Sequence, residues 1–448
     1  MAADKQTTKK ILMLPWLAHG HITPFFELAK RLSKSFQIYL CSSPINLQAI
    51  NPTLARDHSI ELISLHLLSL PDLPAHMHTT KGIPLHLEPT LVKAFDMAAH
   101  GFELLLDRLA PDLVVSDLFQ PWAVRSASSR NIPVVSFVVT GVAVLARLVN
   151  GFWNNGQEFP FPEVDLSEHW VSKSSVRKVC DEVGHDWAMR FFECMRMSCD
   201  VALVNTSPEF EGKYIEFLAS SLKKKVLPIA PLIPQIEPNN EKSEILEWLD
   251  RKTPKSTVYV SFGSEYYLTK QDREELAHGL HQSGVNFIWV IRFPKGQNLI
   301  IQEALPNDFL TQIEGKGLIL NEWVPQLKIL NHSSIGGFVC HCGWNSVVES
   351  MVFGVPIVAL PMQLDQPYHA KVVECAGVCV EAKRDGEGNV KREEIVKAIK
   401  EVMFEKSGEA LRGKAREIGE ALRKREEGII DEVVDEFCKL WEPESKGV

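Results

Sequence analysis

Two groups of residues in this chain have side chains and spacing suited to chemistry. The denser group runs from Trp323 to Gln366 (WVPQLKILNHSSIGGFVCHCGWNSVVESMVFGVPIVALPMQLDQ). An indole and an amide, Trp323 and Gln326, precede a short apolar strand ending at Cys340. A polar turn with His341, Gly343, Trp344, Asn345 and Ser346 follows, then a helix, a second apolar strand and the pair Asp365-Gln366. A helix opening at Trp344 turns its unpaired N–H groups and positive dipole end toward whatever binds there, which suits a pyrophosphate. His341 can donate to a phosphate oxygen without a permanent charge. A base can stack on Trp323 and be read at its edge by Gln326, and sugar hydroxyls would fall near Asp365 and Gln366. The layout suits a ligand with a flat base, a diphosphate and a sugar. Ser346-x-x-Glu349 also reads as an ordinary capping box, and the segment alone leaves both readings open.

The second group is spread over the first half of the chain. His19 and His21 lie just past the apolar run Ile11–Ala18, in a loop, where an imidazole can act as a base near neutral pH. Chemistry alone does not choose between them. Asp117 follows the strand Asp112–Ser116, whose C-terminal end opens on the same side of a sheet. A carboxylate there can orient a histidine base and stabilise its imidazolium, or it can cap the next helix. Val258–Ser264 is another strand-to-loop passage, with Gly263 and Ser264 at its end.

These positions require strands that end on one side of a sheet. Short apolar runs at Lys10–Leu14, Phe36–Cys41, Asp112–Val115, Val134–Phe137 and Val201–Val204 alternate with helical spacing at Phe25–Ser33 and Leu91–Leu109. After the proline-rich Leu227–Asn240 the alternation restarts, with strands Thr257–Phe262, Phe287–Ile291, Gly317–Leu320, Ile335–Val339 and Ile357–Leu360 and a helix Gln271–Gln282. The expectation is an α/β chain of two doubly wound parallel-sheet domains with a ligand in the cleft between their strand ends. Its parts are a disordered 1–9, an N-terminal domain 10–229, a linker 230–245, a C-terminal domain 246–426 and a final helix in 427–448.

Composition narrows the function. A length of 448 residues suits two domains of about 200 residues each. Against 57 acidic residues stand 48 basic ones, a net charge of −9, which argues against a nucleic-acid partner. Nine cysteines without a CxxC or a secreted framework suggest reduced thiols in the cytoplasm. Cys340-His341-Cys342 has no second ligand pair, and no Asp-x-Asp motif follows a strand near the site, so no metal is expected. No run reaches 18 uncharged apolar residues, so no membrane insertion is expected. No GxGxxG follows either first strand, which disfavours a Rossmann oxidoreductase.

The 323–366 segment resembles, nearly position for position, the signature box of plant family 1 UDP-sugar glycosyltransferases, and the resemblance extends from Lys10 to the last helix. It implies the GT-B fold, in which the last helix (here Glu427–Leu440) packs back on the N-terminal domain. It also implies a UDP-sugar co-substrate with no other cofactor. Trp323, Val324 and Gln326 would meet the nucleoside and Glu349 the ribose. His341, Gly343, Trp344, Asn345, Ser346, Gly263 and Ser264 would line the diphosphate. Thr140, Asp365 and Gln366 would hold the transferred sugar, Gln366 nominally favouring glucose. His21, in Gly20-His21-x-x-Pro24, aligns with the family's catalytic base, and Asp117, in Asp117-x-Phe119-x-Pro121-Trp122, with its catalytic aspartate. Ala230-Pro231-Leu232 stands where Gly-Pro-Leu is usual, a conservative departure.

The segments PWLAHGHITPFFELAKRLS, LPAHMHTTKGIPLHLEPTL, SDLFQPWA and SFGSEYYL resemble the branch-forming members, which add a sugar to a glycoside. The acceptor pocket is expected from His76–Leu91 and Leu145–Met197, with His78 and Thr79 in a polar cluster that also holds His76, Thr80 and His86, and with Phe119 and Trp122 near the base. The expectation is an inverting enzyme, acting as a monomer, that moves glucose from UDP-glucose to a sugar hydroxyl of a small-molecule glycoside such as a triterpenoid or flavonoid glucoside. Rival readings are a first-sugar transferase acting on an aglycone, a UDP-sugar epimerase and a non-catalytic UDP-sugar binder.

Overall fold

The computed structural model describes residues 8–54, 60–153, 158–166, 169, 175–236, 244–293, 299–425 and 428–442. Seven strands form the first sheet: β1 Lys10–Leu14, β2 Gln37–Ser42, β3 Ile60–Ser64, β4 Leu113–Ser116, β5 Val134–Val138, β6 Val201–Val204 and β7 Lys225–Pro228. Their order is β3-β2-β1-β4-β5-β6-β7. Six form the second: β8 Thr257–Ser261, β9 Asn286–Val290, β10 Gly317–Leu320, β11 Ile335–Cys340, β12 Ile357–Ala359 and β13 Cys379–Glu381, in the order β10-β9-β8-β11-β12-β13. Every pairing in both sheets is parallel. Parallel strands are covered by helices on both faces, so they read as continuous apolar runs. Accordingly β4 (LVVS), β8 (TVYVS) and β11 (IGGFVC) are buried at every residue.

Three strands escaped the sequence reading, β3, β7 and β13. Each is an edge strand, where one side of the ladder is open and the apolar signal is weaker; β3 (IELIS) buries only Ile60 and Ile63. The helical stretch Leu91–Leu109 is two helices, Glu88–Asp96 and Ala99–Leu109. Of the proline-rich connection, residues 237–243 lie outside the described residues, as do 1–7 of the N-terminal tail and 427 and 443–448 of the C-terminal piece.

Chain order reverses between β1 and β4 in the first sheet and between β8 and β11 in the second. Loops leaving such adjacent strands diverge to opposite faces and leave a crevice at the strands' C-terminal ends. The two crevices face each other, and one apolar cluster runs through the contact between the halves, with Val142, Ala146 and Phe210 from the first and Trp344, Val347 and Ala370 from the second. Helix Ile429–Lys439 returns to the first sheet. Its Ile429, Val433 and Phe437 are buried with Leu28, Leu32 and Phe36, and Trp441 Nε1 donates to the Asp112 carbonyl at 3.0 Å.

Candidate active site

Register brings the first pair of side chains together. Leu14 of β1 lies beside Ser116 of β4, so both strands end level. Helix His19–Leu32 starts at one end and Asp117 follows at the other. His21 therefore belongs to the first helical turn and not to a loop, because the helix opens six residues earlier than expected despite Pro24 inside it. Pro24 lacks the N–H that would bond the Gly20 carbonyl. Asn345 of the second domain supplies a donor instead, its Nδ2 lying 2.9 Å from that carbonyl. Asp117, 1% exposed, accepts from the backbone N–H groups of Trp16 (3.1 Å) and Leu118 (2.7 Å) and from His21 Nδ1 at 2.7 Å. It does not cap the next helix, whose N-cap is Gln120.

This contact fixes the His21 tautomer, with the proton on Nδ1 and Nε2 left for the cleft that His21 lines. Burial alone would lower the imidazole's pKa. The charge and hydrogen bond of Asp117, helped by Glu265 and Asp365, outweigh it and hold the pKa above its ordinary value. His19 also lines the cleft but has no carboxylate partner among the described residues, and burial together with Lys81 lowers its pKa to about 4. Geometry therefore separates the two histidines.

The second crevice is built the same way. Cys340 of β11 pairs with Ser261 of β8, which sets the His341 ring against Gly263. A Cβ on Gly263 would lie 3.0 Å from that ring, and one on Gly343 would lie 2.6 Å from His341 Nε2. Gly343 is thus needed for space, at an ordinary φ of −58°; the left-handed residue of the turn is Cys342, at φ 62°. Burial lowers the His341 pKa to about 4, with Asp365 and His369 as opposing smaller influences, so the ring is neutral. Its buried Nδ1 has no hydrogen-bond partner among the described residues.

Helix Trp344–Val352 follows. Because it opens at Trp344, Ser346 and Glu349 lie inside it and no side chain caps it; the capping box does not form. Instead Glu349 Oε2 accepts from Gln326 Nε2 at 2.5 Å, and Gln326 Oε1 accepts from the Tyr259 hydroxyl at 3.1 Å. Burial pushes the Glu349 carboxyl up to about 7, against a smaller pull downward from Gln326. Trp323 stands 77% exposed at the rim, an uncovered indole next to buried Val324.

Thr140, after β5, and Asp365 close the gap between the halves, the Thr140 hydroxyl donating to Asp365 Oδ2 at 2.7 Å. Gln366 spends its carbonyl on the Met362 and Gln363 N–H groups, at 3.0 Å each, leaving its NH2 for a ligand. Thr140, Gly263, Ser264, Trp323, Val324, Gln326, His341, Gly343, Trp344, Asn345, Ser346, Glu349, Asp365 and Gln366 all line one cleft of about 2080 Å³. That is roughly twice the upper end for a single small-ligand pocket. Trp344 is itself buried, with Nε1 donating to the Asn205 carbonyl at 2.7 Å.

The acceptor candidates fare differently. Phe119 lines the cleft. His78 (3% exposed) and Thr79 (4%) do not; Thr79 Oγ1 donates to the Leu17 carbonyl and the His78 carbonyl accepts from Ser43, pinning their segment to the chain just after β1 and just after β2. Their neighbours His76, Thr80 and Lys81 face the cavity instead. Trp122 is a core residue, edge-on to Phe95 and Phe102 at 5.2 and 5.5 Å. Trp187, 4.2 Å from Phe119 ring to ring, lies in the Leu145–Met197 stretch expected at the acceptor but was not singled out there. Sequence reasoning missed Glu265 and His369, of which His369 carried a signal, four residues after Asp365 on one helix. Among the described residues no cluster of three or more His, Cys, Asp or Glu side chains is arranged to hold a metal ion, and no helix is long and apolar enough to cross a membrane.

Comparison with known proteins gives this cleft a family. The profile of the family described as UDP-glucoronosyl and UDP-glucosyl transferase matches residues 111–410. The chain is 49% identical over 449 residues to a mogroside IIIx synthase of Siraitia grosvenorii, covering 98% of this chain and 94% of that one. It is 43% identical over 435 residues to the beta-D-glucosyl crocetin beta-1,6-glucosyltransferase of Gardenia jasminoides, covering 96% and 98%. Its fold matches that of Glycyrrhiza uralensis UGT73P12, solved with glycyrrhetinic acid 3-O-monoglucuronide, with a TM-score of 0.82, 23% identity and coverage of 97% and 96%. Two facing doubly wound sheets with such a cleft are the GT-B arrangement, and the chain belongs to the UDP-sugar-dependent glycosyltransferases.

Proposed function

We propose that the protein transfers glucose from UDP-glucose, with inversion, to a sugar hydroxyl of a plant secondary-metabolite glycoside. The observation that carries the mechanism is the 2.7 Å contact between His21 Nδ1 and Asp117 Oδ2 at the edge of the cleft. In this reading His21 Nε2 takes the proton of the acceptor hydroxyl while its oxygen attacks the anomeric carbon opposite the departing UDP. Asp117 balances the imidazolium that forms. UDP leaves against the N-terminus of helix Trp344–Val352 and the neutral His341, dipolar donors aimed at the charge that develops. Trp323, Gln326 and Glu349 hold the nucleoside, while Thr140, Asp365 and Gln366 hold the sugar.

A glycoside acceptor is supported by a two-sided cavity. One wall is apolar, with Phe119, Leu148, Phe152 and Trp187; the other carries His76, Thr80, Lys81, Glu88 and Glu265. The apolar wall on its own would suit direct transfer to an aglycone, the second reading. Paired aglycones and monoglucosides incubated with UDP-glucose separate the two, because a branch-forming enzyme leaves the bare aglycone unreacted. We further propose a cytoplasmic monomer, in keeping with eight described cysteines that are all free thiols. His21→Ala should cut transfer about 10²- to 10⁴-fold while calorimetry finds UDP binding nearly unchanged. Loss of both together would sink the assignment of His21 as base.

A further inference from the structure

His369 takes no part in the mechanism above, yet it sits between the two domains with polar partners on both ring nitrogens. It is fully buried on helix Gln366–Cys375, one turn past Asp365. Its ring lies 4.7 Å from that of Trp344. Nδ1 is 3.0 Å from the Cys342 carbonyl oxygen, and Nε2 is 3.3 Å from the Gly141 N–H and 3.0 Å from Thr140 Oγ1. A carbonyl oxygen only accepts and a backbone N–H only donates, so the proton belongs on Nδ1 and Nε2 is an acceptor. The Thr140–Gly141 loop approaches so closely that a Cβ on Gly141 would lie 2.9 Å both from His369 Cδ2 and from Trp344 Cζ3. From the other side, Glu211 holds the same loop by accepting from the Val142 and Ala143 N–H groups, at 2.9 Å each.

The Thr140 hydroxyl therefore stands between two acceptors with one hydrogen to give, Asp365 Oδ2 at 2.7 Å and His369 Nε2 at 3.0 Å. We propose that His369 is a positioning residue for the donor sugar. It ties Thr140 of the first domain to Asp365 of the second, and its one Nε2 lone pair, shared with the more distant Gly141 N–H, receives the Thr140 hydrogen when a sugar hydroxyl engages the Asp365 carboxylate. Thr140 then meets the sugar through an oxygen lone pair, and Asp365 and Thr140 accept from the sugar together. Without an acceptor at the Nε2 position, the Thr140 hydrogen has no partner but Asp365 and competes with the sugar for it. This rests on the reading that Thr140 and Asp365 hold the transferred sugar.

The test compares UDP-glucose with UDP in the full-length protein. His369→Ala should raise the KM for UDP-glucose roughly five- to tenfold, the loss of about one buried hydrogen bond, and leave inhibition by UDP within about twofold, since UDP lacks the sugar. His369→Gln, whose side-chain amide can present an acceptor near the Nε2 position, should recover most of the loss. In a cycle with Thr140→Val the two effects should not add, because both remove the same bond. Equal weakening toward UDP and UDP-glucose, additivity in the cycle, or a Gln variant as poor as the Ala variant would each overturn the proposal; the Gln and Val variants decide it if His369→Ala fails to fold. Should Thr140→Val and Asp365→Asn themselves leave the UDP-glucose KM unchanged, it is the underlying donor-sugar reading that falls.

Discussion

The two walls of the cleft were built by different kinds of chain. The donor wall comes mainly from one contiguous strand-turn-helix-strand passage, joined by Thr140, Gly263 and Ser264, and all fourteen residues expected at the donor line the cavity. The acceptor wall is assembled from Trp16, the 76–88 loop, Phe119, helix Val142–Trp153 and the end of helix Ser175–Met197. Of four residues expected there, only Phe119 reaches it. A nucleotide diphosphate asks for a helix N-terminus, glycine clearance and a flat ring, all local features. An acceptor pocket asks which faces of distant helices meet, and neighbouring residues in sequence point opposite ways: His76 and Thr80 face the cavity, while His78 and Thr79 are buried behind it.

The contrast can be broken by substitution. His21→Ala should cost the most, about 10²- to 10⁴-fold in kcat, measured as initial rate of UDP release with acceptor. Asp117→Asn should follow, and its pH profile is the sharper readout. Transfer needs neutral Nε2, so kcat/KM in the wild type should fall as pH drops through the raised His21 pKa. Removing the Asp117 charge lowers that pKa, so the acid limb should move to lower pH even as the plateau drops. Stability runs the other way. A histidine with a raised folded pKa stabilises the fold at low pH, and that contribution is lost as pH rises through the folded value. An acid limb that stays in place in Asp117→Asn would separate the pair.

On the donor wall, Gly343→Ala drives a methyl into His341, which can yield only by leaving its place. UDP affinity by calorimetry should fall about tenfold or more while the acceptor KM stays put. On the acceptor wall, Trp187→Ala should raise the acceptor KM by about tenfold, from the loss of one aromatic contact surface, and leave UDP binding alone. Trp122→Ala should do the reverse of what its place in the motif suggests. It should cost about 3–5 kcal/mol of stability, seen as a lower denaturant midpoint, with the acceptor KM of the surviving folded protein unchanged. The smallest effect belongs to Glu349, whose carboxyl titrates at about 7. If the carboxylate is the form that holds the ribose hydroxyls, UDP affinity should rise modestly from pH 6 to pH 8, and Glu349→Gln should flatten that rise.

Much of the site was legible because it hangs on strand ends. Apolar runs located β1, β4, β8 and β11, and the residues just past them, His21, Asp117, Gly263 and His341, are where parallel sheets at a topological switch point hold ligands. Less legible was why particular residues are there. Gly343 reads as a turn glycine but is a space for His341, while the left-handed turn falls on Cys342. Ser346-x-x-Glu349 reads as a cap but opens inside a helix, freeing Glu349 to face Gln326.

Family, donor chemistry and the two-domain plan were thus written in short-range patterns: strand periodicity, a glycine-rich turn, a helix start. Such patterns survive in sequence because the backbone geometry they impose is local. The choice of His21 over His19 by Asp117, the burial of Trp122 against Phe95 and Phe102, and the meeting of Thr140 with Asp365 and His369 at 2.7 and 3.0 Å depended on packing between segments separate in sequence. No periodicity encodes which faces of remote helices will touch, since that is set by how two complete cores fit together.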